Sequence, residues 1–174
     1  MIRAALIAAG LAGVAAAGTP ADWIGTWKGQ CKLTPAYQGV ERFAASLTIA
    51  PGSAEGSLRW KLIYETPSRD VRDYELVPVD AAAGHYVIDE KNGLLLDSYM
   101  ADGVLYAPFA INGMLIMATY DVGDDGVMTA NMPSFGTEPV RTTCLEGQPE
   151  SCAQSFALNR AQHCRLSKVA MSKF

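Results

Sequence analysis

The feature that most constrains the fold of this chain is a regular series of turn-forming dipeptides. Four of them follow one another, the first three at intervals of ten residues: Asn92-Gly93, Asp102-Gly103, Asn112-Gly113 and Asp125-Gly126. Asn-Gly and Asp-Gly readily adopt the positive φ angles that two-residue β-hairpin turns require. The segments between them are rich in Leu, Tyr, Ile, Phe and Met. This spacing predicts consecutive antiparallel strands.

The segments upstream fit the same scheme, because apolar Leu58, Trp60 and Leu62 alternate with other residues. Parallel strands need crossovers of a dozen residues or more, and the loops here are too short for them. We therefore predict an all-β fold, an up-and-down antiparallel β-barrel of eight to ten strands, since closure removes exposed sheet edges. A short helix is the alternative for the last of the predicted strands, which are 23–32, 42–50, 57–66, 70–79, 84–91, 94–101, 104–111, 114–122, 127–132 and 154–166.

The N-terminal segment has the pattern of a secretory signal peptide. Arg3 precedes an apolar run of Ala, Gly, Leu, Ile and Val that ends in three alanines at 15–17. The run is shorter than the ~20 residues of a membrane-spanning helix. We expect a signal peptide over 1–17, a single barrel domain over 18–174, no transmembrane segment, and a periplasmic or secreted protein.

Export changes the interpretation of the four cysteines, because disulfides form in oxidising compartments. Four cysteines allow three pairings. Cys144 and Cys152 flank a short segment containing Gly and Pro, so they can pair locally, and Cys31 then joins Cys164 near the two ends of the domain. A zinc site formed by these cysteines and His163 is the alternative, but the spacing matches no usual zinc pattern.

Strict two-residue turns would set the register of the middle strands. One face then carries mainly apolar side chains, and we place it inside the barrel. A row of small residues on that face leaves volume for a ligand or for a large side chain from the opposite wall: Val87, Ser98, Ala107 and Ala118. The other face carries a tyrosine row, Tyr86, Tyr99 and Tyr106, and tyrosine is enriched at protein interfaces. The alternative for this row is ordinary packing between strands.

The first predicted strand contains Gly25-Thr26-Trp27, which resembles the G-x-W motif that opens lipocalins and other calycins. The resemblance implies a barrel whose Trp27 packs across the closed end, with Arg165 over it. The number of strands is nearer to that of fatty-acid-binding or nitrobindin-type calycins. Nitrobindin-like barrels hold haem through a late histidine, which corresponds to His163. That residue neighbours Cys164 and faces the opposite side of its strand, so we predict no cofactor.

The charge of the chain and the motifs it lacks exclude several classes of function. A formal charge of −4 and a pI near 5.1 argue against nucleic-acid binding. The chain lacks a G-x-S-x-G elbow, a zinc-binding helix and a phosphate-binding loop, so we expect no enzyme and no metal site. The leading hypothesis is an exported lipocalin-like barrel that binds a small apolar or amphipathic ligand inside. Its candidate ligand-binding residues are Trp27, Trp60, Tyr64, Ser98, Ala107, Phe109 and Ala118. The alternative is a protein-binding barrel, an inhibitor or an envelope assembly factor, that uses the outer tyrosine row.

Overall fold

The computed structural model describes residues 18–170, in which two short 3-10 helices accompany ten strands. The helices are Pro20–Trp23 and Ala81–Ala83. The strands are β1 Gly25–Tyr37, β2 Val40–Pro51, β3 Leu58–Glu65, β4 Asp70–Asp80, β5 His85–Asp89, β6 Leu95–Ala101, β7 Val104–Ile111, β8 Met114–Val122, β9 Val127–Leu145 and β10 Gln148–Lys168. The signal peptide expected at 1–17 lies outside the described residues, as do residues 171–174.

Each strand pairs antiparallel with its neighbours in the chain, and β10 pairs with β1 to close the sheet. The predicted all-β, up-and-down barrel is thereby confirmed. Alternate residues of each strand point inward, so that Ile49, Trp60 and Tyr74 stand side by side on three adjacent strands. The inward residues of β1 to β3 are almost all buried and apolar, and they form one side of the core.

The register of the middle strands follows the predicted turns at two positions and departs from them at a third. Asp102-Gly103 and Asn112-Gly113 form two-residue turns, since Ala101 pairs with Val104 and Ile111 with Met114. At Asn92-Gly93 the loop contains three residues, 91–93, because Asp89 pairs with Leu95 and the backbone N–H of Glu90 donates a hydrogen bond to the carbonyl of Leu94.

The longer loop shifts β5 by one residue, and a shift of one residue exchanges the two faces of a strand. Tyr86 therefore lies inside the barrel, opposite the fully buried Ser98. The prediction that Tyr86 belongs to the outer tyrosine row is therefore wrong. Val87 lies opposite Asp97, so it does not belong to the inner row of small residues.

The C-terminal hairpin is much longer than the two predicted strands, 127–132 and 154–166. The segment between them is not a loop, because β9 and β10 remain paired up to Leu145 and Gln148, with Gly147 in the turn at φ +73°. Residues 137–145 include three threonines and a valine, which favour extended backbone. Pro139 is compatible with a strand there, because proline is tolerated on edge strands.

Two disulfides connect β10 to its neighbours. Cys31 on β1 and Cys164 on β10 are directly opposed and buried, so their bond joins the two strands that close the barrel. Cys144 and Cys152 are opposed near the tip of the β9–β10 hairpin. Both pairs are those favoured by the sequence. Two disulfides fit an extracellular or periplasmic protein.

Candidate ligand-binding site

One end of the barrel is filled by aromatic side chains. The indole nitrogen of Trp27 donates a hydrogen bond of 2.9 Å to the carbonyl of Trp23. The ring of Trp60 lies 6.3 Å from that of Trp23 and 5.1 Å from that of Tyr120 on the opposite wall. All four residues are buried. We call this the closed end, because these buried rings pack against one another across it.

The residue that covers Trp27 differs from the one implied by the calycin resemblance. The Nζ atom of Lys168 lies 5.2 Å from the centre of the Trp27 ring, in cation–π geometry. Arg165 points outward and forms an ion pair of 3.0 Å with Asp125. Inward residues of β10 alternate as Cys164, Leu166 and Lys168, and this alternation excludes Arg165 from the interior.

Three of the four residues predicted for the row of small inner residues are found there: Ser98, Ala107 and Ala118 are buried on adjacent strands. Trp60 reaches across the barrel to Tyr120, the inward neighbour of Ala118, so a large side chain from the opposite wall lies next to the row. Phe109 follows Ala107 on the inward face and packs against the core.

The opposite end of the barrel is open and contains a cavity of about 480 Å³. We call it the mouth cavity. It is lined by residues of β1 to β4 and of β8 to β10, and by the loops that connect β1 to β2 and β3 to β4. Its apolar lining consists of Leu33, Val40, Phe43, Met114, Ile116 and Met132. Its polar lining includes Tyr64, Asp70, Arg72, Ser134, Arg160 and Gln162.

Arg72 is the first of two guanidinium groups at the mouth cavity. It lies 5.3 Å from the centre of the Tyr64 ring and pairs with Asp70, with its Nε atom 2.9 Å from the carboxylate. Although burial disfavours its charged form, Tyr64 and Asp70 raise the pKa of Arg72 above its ordinary value. Arg72 therefore remains cationic, with its charge largely balanced by Asp70.

Tyr64 and Gln162 connect the mouth cavity to the core below it. The side-chain amide of Gln162 donates a hydrogen bond of 3.1 Å to the hydroxyl of Tyr64. The ring of Tyr64 packs edge-on against Phe43 at 5.4 Å. Burial raises the pKa of the Tyr64 hydroxyl, which therefore stays protonated at neutral pH. These contacts place polar groups at the bottom of the mouth cavity, below its apolar lining.

Arg160 is the second guanidinium group, and it is incompletely satisfied. Its Cζ atom lies 4.3 Å from the centre of the Tyr37 ring. Its Nε atom is buried, and within residues 18–170 no acceptor lies within hydrogen-bonding distance of it. A buried donor without a partner is costly, and a charged one more so. Among the described residues Arg160 therefore has no carboxylate partner, and its guanidinium group lines the mouth cavity with an unbalanced positive charge and an unsatisfied, buried Nε–H group.

Of the seven candidate ligand-binding residues, only Tyr64 lines the mouth cavity. The others are in the closed end or in the packed wall: Trp27, Trp60, Ser98, Ala107, Phe109 and Ala118. The sequence analysis missed Arg72, Arg160 and Gln162. A signal for Arg72 was present, because it alternates with the inward residues Tyr74 and Leu76. The same signal was present for Arg160 and Gln162, which alternate with the inward residues Cys164 and Leu166 on a regular stretch of β10.

The outer tyrosine row is shorter than predicted. Tyr99 and Tyr106 are opposed and exposed. His85 takes the place expected for Tyr86: its ring stacks on Tyr99 with centres 5.0 Å apart, and its Nε2 atom lies 2.7 Å from Asp97.

Comparisons with known proteins show the fold alone. No family model matches the chain, and no curated protein matches it. A solved structure of a protein with unknown function from the DUF3598 family of Nostoc punctiforme is similar, with a TM-score of 0.56 and 13% identity. The match covers 91% of this chain and 54% of that one, so this chain spans about half the length of that protein. The barrel is consistent with a calycin-like fold.

Among residues 18–170, no group of three or more His, Cys, Asp or Glu side chains is arranged to hold a metal ion. The same part of the chain has no helix of the length and apolar character needed to cross a membrane.

Proposed function

We propose that this barrel binds a small amphipathic molecule in the mouth cavity, with its anionic head group near Arg160 and its apolar part against the cavity walls. The observation that carries the proposal is the buried, unpartnered Nε atom of Arg160 beside an apolar cavity. A carboxylate or a similar anion would supply the missing acceptor and balance the charge, because guanidinium groups bind such anions through paired hydrogen bonds.

The size and lining of the mouth cavity support a ligand with an apolar part. Its volume of about 480 Å³ falls in the range of small-molecule sites, roughly 300–1,000 Å³. Leu33, Phe43, Ile116 and Met132 offer apolar surface from four different strands. Each methylene group buried against such surface contributes about 0.8 kcal/mol. A chain of several methylene groups would therefore supply most of the affinity, and the head group would set the orientation.

The charges at the mouth cavity favour an anion over a cation. Asp70 pairs with Arg72, so these two charges offset each other. Arg160 remains, and its closest aromatic contact is Tyr37. A cationic head group here would face Arg160 without a free carboxylate, whereas an anionic one would meet a free N–H donor.

The proposal is tested with dodecanoate as the probe, by titration calorimetry on the parent chain and on Arg160→Ala. A hydrogen bond to a charged group contributes about 1.5–3 kcal/mol, so the dissociation constant should rise roughly tenfold to a hundredfold in the variant. Arg165→Ala is the matched control: it removes an arginine from the same strand, but from the outer surface. The control should bind dodecanoate as the parent does.

Two probes of the same chain length separate the head group from the tail. Dodecanol and dodecyltrimethylammonium should bind the parent chain more weakly than dodecanoate, and Arg160→Ala should not weaken them. Equal binding of all three probes would contradict the proposal that the site selects an anionic head group. Absence of dodecanoate binding to the folded parent chain would contradict the proposed function.

We also propose that the protein is exported and that it is a calycin. The two disulfides support export. The closed barrel supports the calycin assignment. The absence of enzymatic activity stays a prediction. The alternative function, a protein partner on the outer tyrosine row, also stays a prediction, and its surface now consists of Tyr99 and Tyr106 without Tyr86.

A further inference from the structure

The β9–β10 hairpin extends well beyond the barrel. The last pair between β8 and β9 is Met114 with Gly136, and the last pair between β1 and β10 is Thr34 with Ala161. Residues 137–145 and 148–159 therefore pair only with each other among the described residues. We call residues 137–159 the arm. It is a two-stranded ribbon with two open edges, one along β9 and one along β10.

The arm exposes apolar side chains to solvent. Val140 is 66% exposed and Leu158 57% exposed, and Phe156 lies between them in the ribbon. An isolated two-stranded ribbon is at best marginally stable in water. The Cys144–Cys152 disulfide holds this one together near its tip. A stapled ribbon with exposed apolar residues is typical of a surface that another chain covers.

The two open edges of the arm differ in composition. The β9 edge carries Glu138, Pro139 and Arg141 in close succession, and charge and proline on an edge strand oppose pairing with another strand. The β10 edge from Ser151 to Asn159 has neither a charged residue nor a proline. A long, uncharged open edge is a template for strand addition. Only the β10 edge is therefore suited to receive another strand.

We propose that a second copy of this chain pairs with the β10 edge, joining two arms into one four-stranded antiparallel sheet. A twofold axis at Ser155 places Gln154 opposite Phe156 and Ala153 opposite Ala157. This pairing opposes no like charges, because the segment has none. It sets Ser155 against Ser155 of the second copy at the axis, and alanines against alanines two residues away from it.

The self-complementarity of the β10 edge and the difference between the two edges support a second copy as the occupant. The edge from Ser151 to Asn159 contributes nine residues of each chain to the contact, and none of them carries a charge that would repel its own copy. A twofold contact of this kind closes on itself. The two β9 edges then form the outer borders of the new sheet, and their charges and prolines prevent further growth. The assembly therefore stops at a dimer.

The test compares two lysine variants by sedimentation equilibrium from micromolar to millimolar concentration. The parent chain should dimerise. Ser155→Lys places two lysines opposite each other at the axis and should raise the dimer dissociation constant by about tenfold or more. Thr142→Lys, on the β9 edge, should dimerise as the parent does. A monomeric parent, growth beyond dimers, or equal effects of the two lysines would overturn the proposal.

A second variant gives a readout that does not depend on weakening the arm. Opposed residues of an antiparallel pair have Cα atoms about 4.5–5.5 Å apart, within the span of a disulfide. Ser155→Cys should therefore form a covalent dimer on oxidation, whereas Thr142→Cys should not. Crosslinking through position 142, or none through 155, would contradict the pairing. If an extended peptide from another protein occupies the β10 edge instead, the purified chain will be a monomer in both experiments.

Discussion

Glu75 is a buried carboxylate held by an ion pair and by several hydrogen bonds. It is only 5% exposed, yet three neighbours satisfy its carboxylate. Lys91 places its Nζ atom 2.7 Å away, Ser57 donates its hydroxyl at 2.5 Å, and Ser53 donates both its hydroxyl and its backbone N–H. These hydrogen bonds, that of Lys91 first, hold the pKa of Glu75 well below its usual range. Glu75 thus joins the β2–β3 loop to the loop after β5.

We predict that Glu75→Gln lowers the free energy of unfolding by about 2 kcal/mol at pH 7, because the ion pair with Lys91 and the charged hydrogen bonds are lost. The carboxylate has a lower pKa in the folded state than in the unfolded chain. Its stabilisation is therefore complete above the unfolded pKa, near 4.5, and is lost as the pH falls towards the folded value. Urea unfolding should show a smaller deficit for Glu75→Gln in acid than at neutral pH.

The control for this prediction is Glu55→Gln in the same loop region. Glu55 is exposed, so its replacement should change stability by less than about 0.5 kcal/mol. A deficit of Glu75→Gln that is equal at both pH values would contradict the role assigned to the charge.

The candidate site was less predictable from sequence than the fold. Hydrophobic alternation identifies inward positions that are apolar, and it found Trp60, Ala107 and Ala118. Arg72 and Arg160 also occupy inward positions of their strands, but a charged residue at such a position does not by itself indicate a ligand site. The sequence also does not give the position of a residue along the barrel axis, because that position depends on how neighbouring strands are staggered. The predicted interior residues consequently lay mostly at or near the filled end.

At the scale of elements, one loop decides which side of β5 is buried. Asp89 accepts hydrogen bonds from the backbone and from the ammonium group of Lys91, and Lys91 also binds Glu75. These contacts keep Lys91 in the loop at φ +59° instead of in a strand. A two-residue turn at Asn92-Gly93 was the reasonable expectation, and a side-chain network distant in sequence overrides it. The ten strands and the barrel were predictable because their turn signals are local.

The Cys31–Cys164 disulfide crosslinks β1 and β10, the two strands that close the barrel, across a sequence separation of 133 residues. We predict that replacing both cysteines by alanine lowers the free energy of unfolding by about 3–5 kcal/mol, because the unfolded chain regains the entropy of a large loop. Thermal unfolding followed by near-ultraviolet circular dichroism measures the effect on the barrel.

Replacing Cys144 and Cys152 by alanine is the matched control. Their loop is short, with a separation of 8 residues, and the arm they hold pairs with no barrel strand among the described residues. The barrel transition should move by less than about 0.5 kcal/mol. An equal loss of barrel stability in the two double variants would contradict the separation of arm and barrel.

At the scale of the whole molecule, the barrel divides into a filled end and an open end. Trp23, Trp27, Trp60 and Tyr120 occupy one, and the mouth cavity with Arg72 and Arg160 occupies the other. The arm begins next to Arg160, at the rim of the cavity. The proposed ligand would enter from the mouth, and its head group would lie at the base of the arm.

Titration of the labelled parent chain with dodecanoate, followed by two-dimensional NMR, tests this account most directly. The methyl groups of Leu33, Ile116 and Met132 report on the mouth cavity, and the indole groups of Trp27 and Trp60 report on the closed end. The account predicts saturable shifts of the three methyl signals, with little change in the two indole signals. Saturable shifts confined to the closed end or to the outer surface, or no saturable shift at all, would contradict it.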